Sequence, residues 1–414
     1  MFLHEVEAEE YKGFSSIKIS FDANFTILCG PNGVGKSTVL FAIASALVTH
    51  NKNIYLNENS QVRILFTGRD GVKSECGFGR GSYMMESSRQ TTFKGGPSPY
   101  QYSDGRSNRI YLNDVGERFS PLFIGPNRNI FYKKISGMTS ETSAVEYRKK
   151  YLREALDYLA SSYSPEIKQW MINRYFIIDK DWAEIEKRNW NFIISNLDYI
   201  FGEGGRFSFY KIDRELEPSF KLDGNVVYLE DLSSGFKSIL SIVFSIVEWI
   251  EKTNDGDYML IDKATGVVLI DELDAHLHPS WQTKIKSILQ TIFPKLQFII
   301  TTHSPHIISS AEANEVIILK RHDGKIVPFV VTKSLAAWKT DDIYSSIMGV
   351  DTVHQKTLNK VVSEIEELID ENKLDDAVVL IEEYSKKIPD SDPTALTLRK
   401  RINSLILSKE KEND

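Results

Sequence analysis

Between the apolar run Phe25-Thr26-Ile27-Leu28-Cys29 and the helically spaced Val39, Leu40, Ile43 and Leu47 lies the segment Gly30-Pro31-Asn32-Gly33-Val34-Gly35-Lys36-Ser37-Thr38. Gly30, Gly33 and Gly35 occupy turns that side chains would obstruct, so the backbone can curl with its N–H groups pointing inward. The helix that follows aims its N-terminus at the same point. A buried strand, a glycine loop and a helix in direct succession are the context that a phosphate-binding loop requires, and they point to an α/β architecture.

The residue types in the loop specify the anion. Lys36 carries a point charge to the β and γ phosphates of a nucleotide, the Ser37 hydroxyl suits Mg²⁺, and Thr38 can help hold the α phosphate. Asn32, Gly33 and Gly35 complete the cradle. A second, acidic centre is needed for the metal and for the attacking water. Asp271 and Glu272 end the apolar strand Val267-Val268-Leu269-Ile270, the place where doubly wound sheets put ligand-binding residues. Asp271 is read as the metal partner and Glu272 as the general base. His303 follows the next apolar strand, Phe298-Ile299-Ile300, within Thr301-Thr302-His303-Ser304-Pro305. As a neutral imidazole it can hydrogen-bond the γ phosphate or the water. Leu232-Ser233-Ser234-Gly235-Phe236-Lys237 opens a further helix, and read alone it is a helix cap.

Composition narrows the class. Of 414 residues, 42% are apolar and 26% charged, the balance of an ordinary globular protein. A formal charge of −7 argues against general electrostatic coating of nucleic acid, which needs lysine and arginine to replace counterions, although a local basic patch is compatible with it. Two cysteines, Cys29 and Cys76, provide neither a disulfide framework nor a four-cysteine zinc site and suit a reducing cytoplasm. Neither a secretory leader nor an apolar run of about 20 residues is present, so a cytoplasmic protein outside the membrane is expected.

Along the chain, residues 1–139 read as the first part of a nucleotide-binding head, with strands at Phe2 to Ala8, Ile17 to Phe21, Val62 to Phe66, Ile110 to Leu112 and Pro121 to Ile124. The Gly-, Ser- and Tyr-rich stretch Gly77 to Arg109 is weakly basic, suiting either a surface loop or a nucleic-acid or partner contact. Residues 140–225 read as a mainly helical insert, with Leu152, Ala155, Leu156 and Leu159 on one face. Residues 226–340 resume the head, ending in a hairpin turned by His322-Asp323-Gly324. Residues 341–414 read as amphipathic helices, striped by Val361, Ile365, Leu368 and Ile369 and then by Leu374, Val378 and Ile381.

The glycine loop, the Ser233 to Gly235 segment, the Asp271-Glu272 pair and His303 stand in the order of ABC-type ATPases. Asp271 to Pro279 and Tyr11-Lys12-Gly13-Phe14 are similar to the SMC, RecF and OLD branch rather than to transporters. The resemblance implies that the chain binds and hydrolyses ATP with Mg²⁺ and dimerises head to tail around it, with higher assembly open. Ser233 and Gly235 would close on the nucleotide of the other copy, and Lys12 would approach the phosphates. His276 and His278 then read as a dimer-interface loop rather than a metal site. No glutamine follows Ile124 where this family has one, and Asn127 is the available substitute. The tail, Leu374 to Tyr384 through Pro393, resembles the helical extension of defence ATPases of Septu and retron-linked systems, whose partner is an HNH endonuclease. The expectation is an ATPase without a built-in nuclease that regulates a separately encoded effector in antiphage defence. The alternatives are a RecF- or SMC-like ATPase acting on DNA, and a transporter motor.

Overall fold

The structure is a computed structural model that describes residues 1–47, 60–79, 116–161, 166–202, 206–336, 338–349, 353–371, 373–386 and 393–413. The strand expected at Ile110 to Leu112 and the Gly77 to Arg109 stretch beyond Gly79 lie outside them. Met1–Thr340 and Asp341–Asp414 form two compact units.

The first unit begins with β1 (Phe2–Tyr11) and β2 (Phe14–Ser20), an antiparallel pair, then β3 (Phe25–Cys29), the glycine loop and α1 (Lys36–Leu47). Next come β4 (Gln61–Thr67), β5 (Lys73–Gly79) and the short β6 (Leu122–Ile124). The helices α2 (Ala144–Leu159), α3 (Ile167–Ile177) and α4 (Glu184–Phe201) follow, then the meander β7 (Phe207–Ile212), β8 (Pro218–Leu222) and β9 (Asn225–Tyr228). The long α5 (Ser234–Thr253) leads to β10 (Gly266–Ile270), the short α6 (Pro279–Gln282), α7 (Ile285–Ile292), β11 (Leu296–Thr301) and α8 (Pro305–Ser309). The unit closes with β12 (Val316–His322) and β13 (Lys325–Val331).

Six strands form the central sheet in the order β13-β12-β3-β11-β10-β6. β12, β3, β11, β10 and β6 run parallel, and only the β13 edge is antiparallel. Every residue of β3, β10 and β11 is buried, which is why these strands read as continuous apolar runs: helices or other strands cover both faces. The carboxyl ends of β3, β6, β10 and β11 therefore meet at one edge. A second, antiparallel sheet, β2-β1-β4-β5, packs on α1 through alternating inward residues such as Val62, Ile64 and Phe66. The β12–β13 turn holds Asp323 and Gly324 at φ +48° and +78°, as a tight hairpin with the right-handed twist requires.

Within residues 140–225, helix runs to Phe201, but residues 207–222 are strands of the three-stranded meander rather than helix. Buried ion pairs tie this region to α5. The Arg174 guanidinium bonds Glu251, whose other oxygen accepts from Asn189, and it reaches Glu141 at 2.7 Å. Lys168 bridges Glu217 and Glu230 at 2.5 and 2.8 Å, just ahead of α5.

The second unit contains α9 (Val353–Asp370), α10 (Leu374–Ser385) and α11 (Pro393–Asn413). Val361, Ile365, Ala377, Ile381, Tyr384, Leu398 and Ile402 form its core. The amphipathic stripes of α9 and α10 thus pack mainly on one another and on α11.

Candidate functional site

The glycine loop leaves β3 where Gly30, at φ +138°, passes the β12 backbone. A Cβ on Gly30 would lie 2.3 Å from the Leu319 carbonyl oxygen, so no larger residue fits. Gly33 and Gly35 also have positive φ, +73° and +97°, and a Cβ on Gly35 would meet the Phe14 ring at 2.6 Å. The turn of the β1–β2 hairpin therefore sits directly on the loop. Tyr11 secures it, its hydroxyl bonding the Ser45 hydroxyl at 2.8 Å and the Phe41 carbonyl at 3.2 Å. Lys12 lies with its ammonium 4.1 Å from the centre of the Phe41 ring, one helical turn beyond Ser37 and Thr38. Asn32 and Gly33 are exposed at the loop's crest.

Lys36 is 5% exposed and donates to the carbonyls of Gly30 and Pro31 at 2.9 and 3.0 Å. Burial lowers its pKa, while Asp271, Asp274 and Glu272 work in the opposite direction. The Ser37 hydroxyl donates to Asp271 Oδ1 at 2.9 Å, across 234 residues of sequence. Thr301, at the end of β11, donates to the same oxygen at 2.5 Å and accepts from the Glu272 N–H at 2.8 Å. The first turn of α1 and the end of β11 thus converge on the carboxylate that follows β10. Glu272 stands beside it at φ +49°, a left-handed conformation that costs a non-glycine residue about 1–3 kcal/mol unless its surroundings impose it.

Asp274 organises the next turn, accepting from the Thr302 hydroxyl at 2.5 Å and the His303 N–H at 3.1 Å. His303 is half-buried. Burial, with Lys36 adding to it, lowers its pKa below 6.5 against the opposing carboxylates, which leaves the ring neutral near pH 7.

Ser233 is the N-cap residue of α5, but its side chain does not cap that helix, and it is exposed. Gly235 is buried: a Cβ there would lie 2.4 Å from the Trp281 ring and 3.2 Å from the His276 carbonyl. The packing side of this motif therefore faces its own chain, while Ser233 and Ser234 face outward. His276 is exposed at φ +66°, and His278 bonds the Ser280 hydroxyl and caps α6.

Asn127 bonds the turn after α2 rather than the acidic pair, its amide donating to the Ser161 carbonyl at 3.3 Å. Its neighbour Arg128, which sequence reasoning passed over, turns inward. Arg128 is 1% exposed and donates to the carbonyls of Gly125, Asp271, Glu272 and Leu273 and to the Ser238 hydroxyl. Burial pushes its pKa down to about 10. The signal available in the sequence was an arginine closing a Gly-Pro turn after a buried strand, and it names no partner.

A glycine loop at the end of β3, with an acidic pair on β10 and a polar turn after β11 facing it, defines a P-loop nucleotide-binding protein. A family model described as AAA ATPase domain matches residues 1–73 and 120–308, and the chain belongs to that family. Its relatives include Septu protein PtuA of Bacillus thuringiensis, 27% identical over 382 residues that cover 90% of each chain. The Retron Ec83 probable ATPase of Escherichia coli is 24% identical, covering 99% of this chain and 88% of its own. The Retron Vc95 probable ATPase of Vibrio cholerae is 24% identical over 78% of this chain and 74% of its own. Among solved structures, an SMC head bound to the C-winged helix domain of ScpA is 17% identical, with a TM-score of 0.48 over 80% of this chain and 98% of its own. The likeness to Septu and retron ATPases read from the sequence is met by these relatives.

Proposed function

We propose that the chain binds ATP with Mg²⁺, hydrolyses it at the β3/β10/β11 edge, and closes on a second copy while ATP is bound. In that cycle it regulates a separately encoded effector, a nuclease of HNH type, in antiphage defence. The observation that carries the ATPase reading is the Ser37–Asp271 hydrogen bond beside Glu272. It joins two hard oxygen donors, the chemistry Mg²⁺ prefers. Bound there, the ion would offset charge on the β and γ phosphates.

The protein's own groups supply the rest. Lys36, now bonded to carbonyls, has a nearby charge to give a phosphate. Glu272 can accept a proton from water, while Thr301 and the backbone hold it in place. Neutral His303 can donate to or accept from the γ phosphate or that water. Lys12, beside α1, adds a cation on the same side of the helix. Ser233, exposed and not engaged in capping, can offer its hydroxyl and the α5 amides to the nucleotide of another copy. The defence role rests on the Septu and retron relatives, and the effector on the resemblance of the tail.

Calorimetry of wild type and Lys36→Ala with ATP tests the nucleotide assignment. Affinity should be lost or severely weakened in the variant, and equal affinities would refute the loop as the phosphate site. Phage plating with and without the neighbouring gene tests the role: protection should require both genes and Glu272. Protection by this gene alone would contradict an effector in trans.

A further inference from the structure

We infer that Arg128 is a positioning residue that holds Glu272 in its working conformation and links it to the helix that opens at Ser233. The inference rests on the ATPase reading above.

Four observations lead to it. The guanidinium is almost fully buried, yet no carboxylate lies within ion-pair distance of it among the described residues; its partners are carbonyls and a hydroxyl. A cation that has given up water must recover its hydrogen bonds, and this one recovers them from the three consecutive residues Asp271, Glu272 and Leu273. The Glu272 carbonyl accepts at 2.8 Å, and Glu272 is the residue of this turn in the left-handed region. A planar fork of donors fixes several carbonyl directions at once, which a single ammonium cannot do. The fourth observation is reach. The same guanidinium lies 3.4 Å from the Ser238 hydroxyl, one turn into α5, and that hydroxyl donates to the Ala275 carbonyl at 3.3 Å.

Arg128 itself follows β6, whose turn it closes through the Gly125 carbonyl at 3.1 Å. One side chain therefore joins the β6 turn, the acidic turn after β10 and the start of α5. The guanidinium that bonds the Glu272 carbonyl is also the group through which a shift of α5 at Ser238 reaches it. The hydrogen bonds of Arg128 go to neither Lys36 nor Ser37, so phosphate affinity should depend on it little.

The test uses the full chain and five forms: wild type, Arg128→Lys, Ser238→Ala, Glu272→Gln, and Arg128→Lys combined with Glu272→Gln. ATP affinity and kcat are measured for each, with thermal unfolding as a check on folding. Arg128→Lys should keep ATP affinity within about threefold and lower kcat tenfold or more. In the Glu272→Gln background it should lower the residual rate by less than twofold, because a residue acting through Glu272 has nothing left to position. Ser238→Ala should give a smaller fall in kcat, again with affinity kept. Equal losses from Arg128→Lys in both backgrounds, or unchanged kcat in Arg128→Lys, would overturn the inference. Should Arg128→Lys fail to fold, an unchanged kcat in Ser238→Ala overturns the link to α5. Absence of turnover in wild type would instead overturn the ATPase reading itself.

Discussion

Thr301 shows how few atoms hold the site together. Its hydroxyl donates to Asp271 and accepts from the Glu272 N–H, so Thr301→Val strands the Glu272 N–H and leaves Asp271 Oδ1 with the Ser37 hydroxyl alone. A loss of about 1–3 kcal/mol in chemical denaturation is expected, with turnover falling further than ATP affinity; equal effects on both would show that the hydroxyl merely supports the strand. His303 gives a pH dependence. Its pKa is lowered, mainly by burial, so folding favours the neutral ring. That contribution is fully present above the ordinary value of 6.5 and is lost as pH falls through the lowered one. The acid limb of kcat due to this ring should therefore lie below pH 6.5, and His303→Gln should remove it. A limb that persists unchanged in the variant belongs to another group. The glycine loop and the acidic pair were legible because their chemistry is contiguous in sequence and flanked by apolar strands. Arg128 was not, because its partners at Asp271 and Glu272 lie 143 and 144 residues away.

At the scale of elements, close approaches set what the chain tolerates. The end of β6 runs so near the end of α2 that a Cβ on Gly125 would lie 1.8 Å from the Tyr158 carbonyl oxygen. Gly125→Ala should therefore separate the two elements and move Arg128 with them, lowering both the melting temperature and turnover; an unchanged melting temperature would contradict this packing. The Arg174–Glu251 pair joins α3 to α5, and each side chain is 1% exposed. Arg174→Met leaves Glu251 buried without its cation, at a cost of about 3–5 kcal/mol, read from the denaturation midpoint. A change under 1 kcal/mol would show that the pair adds nothing net. The strands β3, β10 and β11 were readable from their apolar runs, since each is covered on both faces. The meander β7 to β9 was not: outward residues such as Tyr210, Lys221, Val226 and Tyr228 break any apolar alternation, and the segment reads as a continuation of the helical insert. The tail's stripes were readable too, but Ile365, Ala377, Ile381 and Ile402 are buried in that unit's own core. Apolar stripes alone thus do not mark a partner surface.

For the whole molecule, self-association and partnership are the properties to measure. Gly235 is a poor place to test closure, because any side chain there strikes Trp281 in the same chain. Ser233→Arg is the cleaner variant: in the Glu272→Gln background it should keep ATP binding yet abolish the ATP-dependent rise in mass by light scattering, and a persisting rise would show that Ser233 takes no part in closure. Removal of residues 353–414 deletes the three helices that form the second unit's core and none of the residues assigned to nucleotide. ATP hydrolysis should survive the deletion while co-purification with the neighbouring gene product is lost, and a complex that forms without the tail would place the partner surface elsewhere. On the proposed function, Asp271 and Glu272, facing the glycine loop, handle a metal and a water. Phosphate release by Glu272→Gln, measured beside its ATP affinity, tests this most directly. Affinity should match wild type while turnover falls by about 10²–10⁴-fold, the span of a lost general base; turnover within a few-fold of wild type would contradict the account.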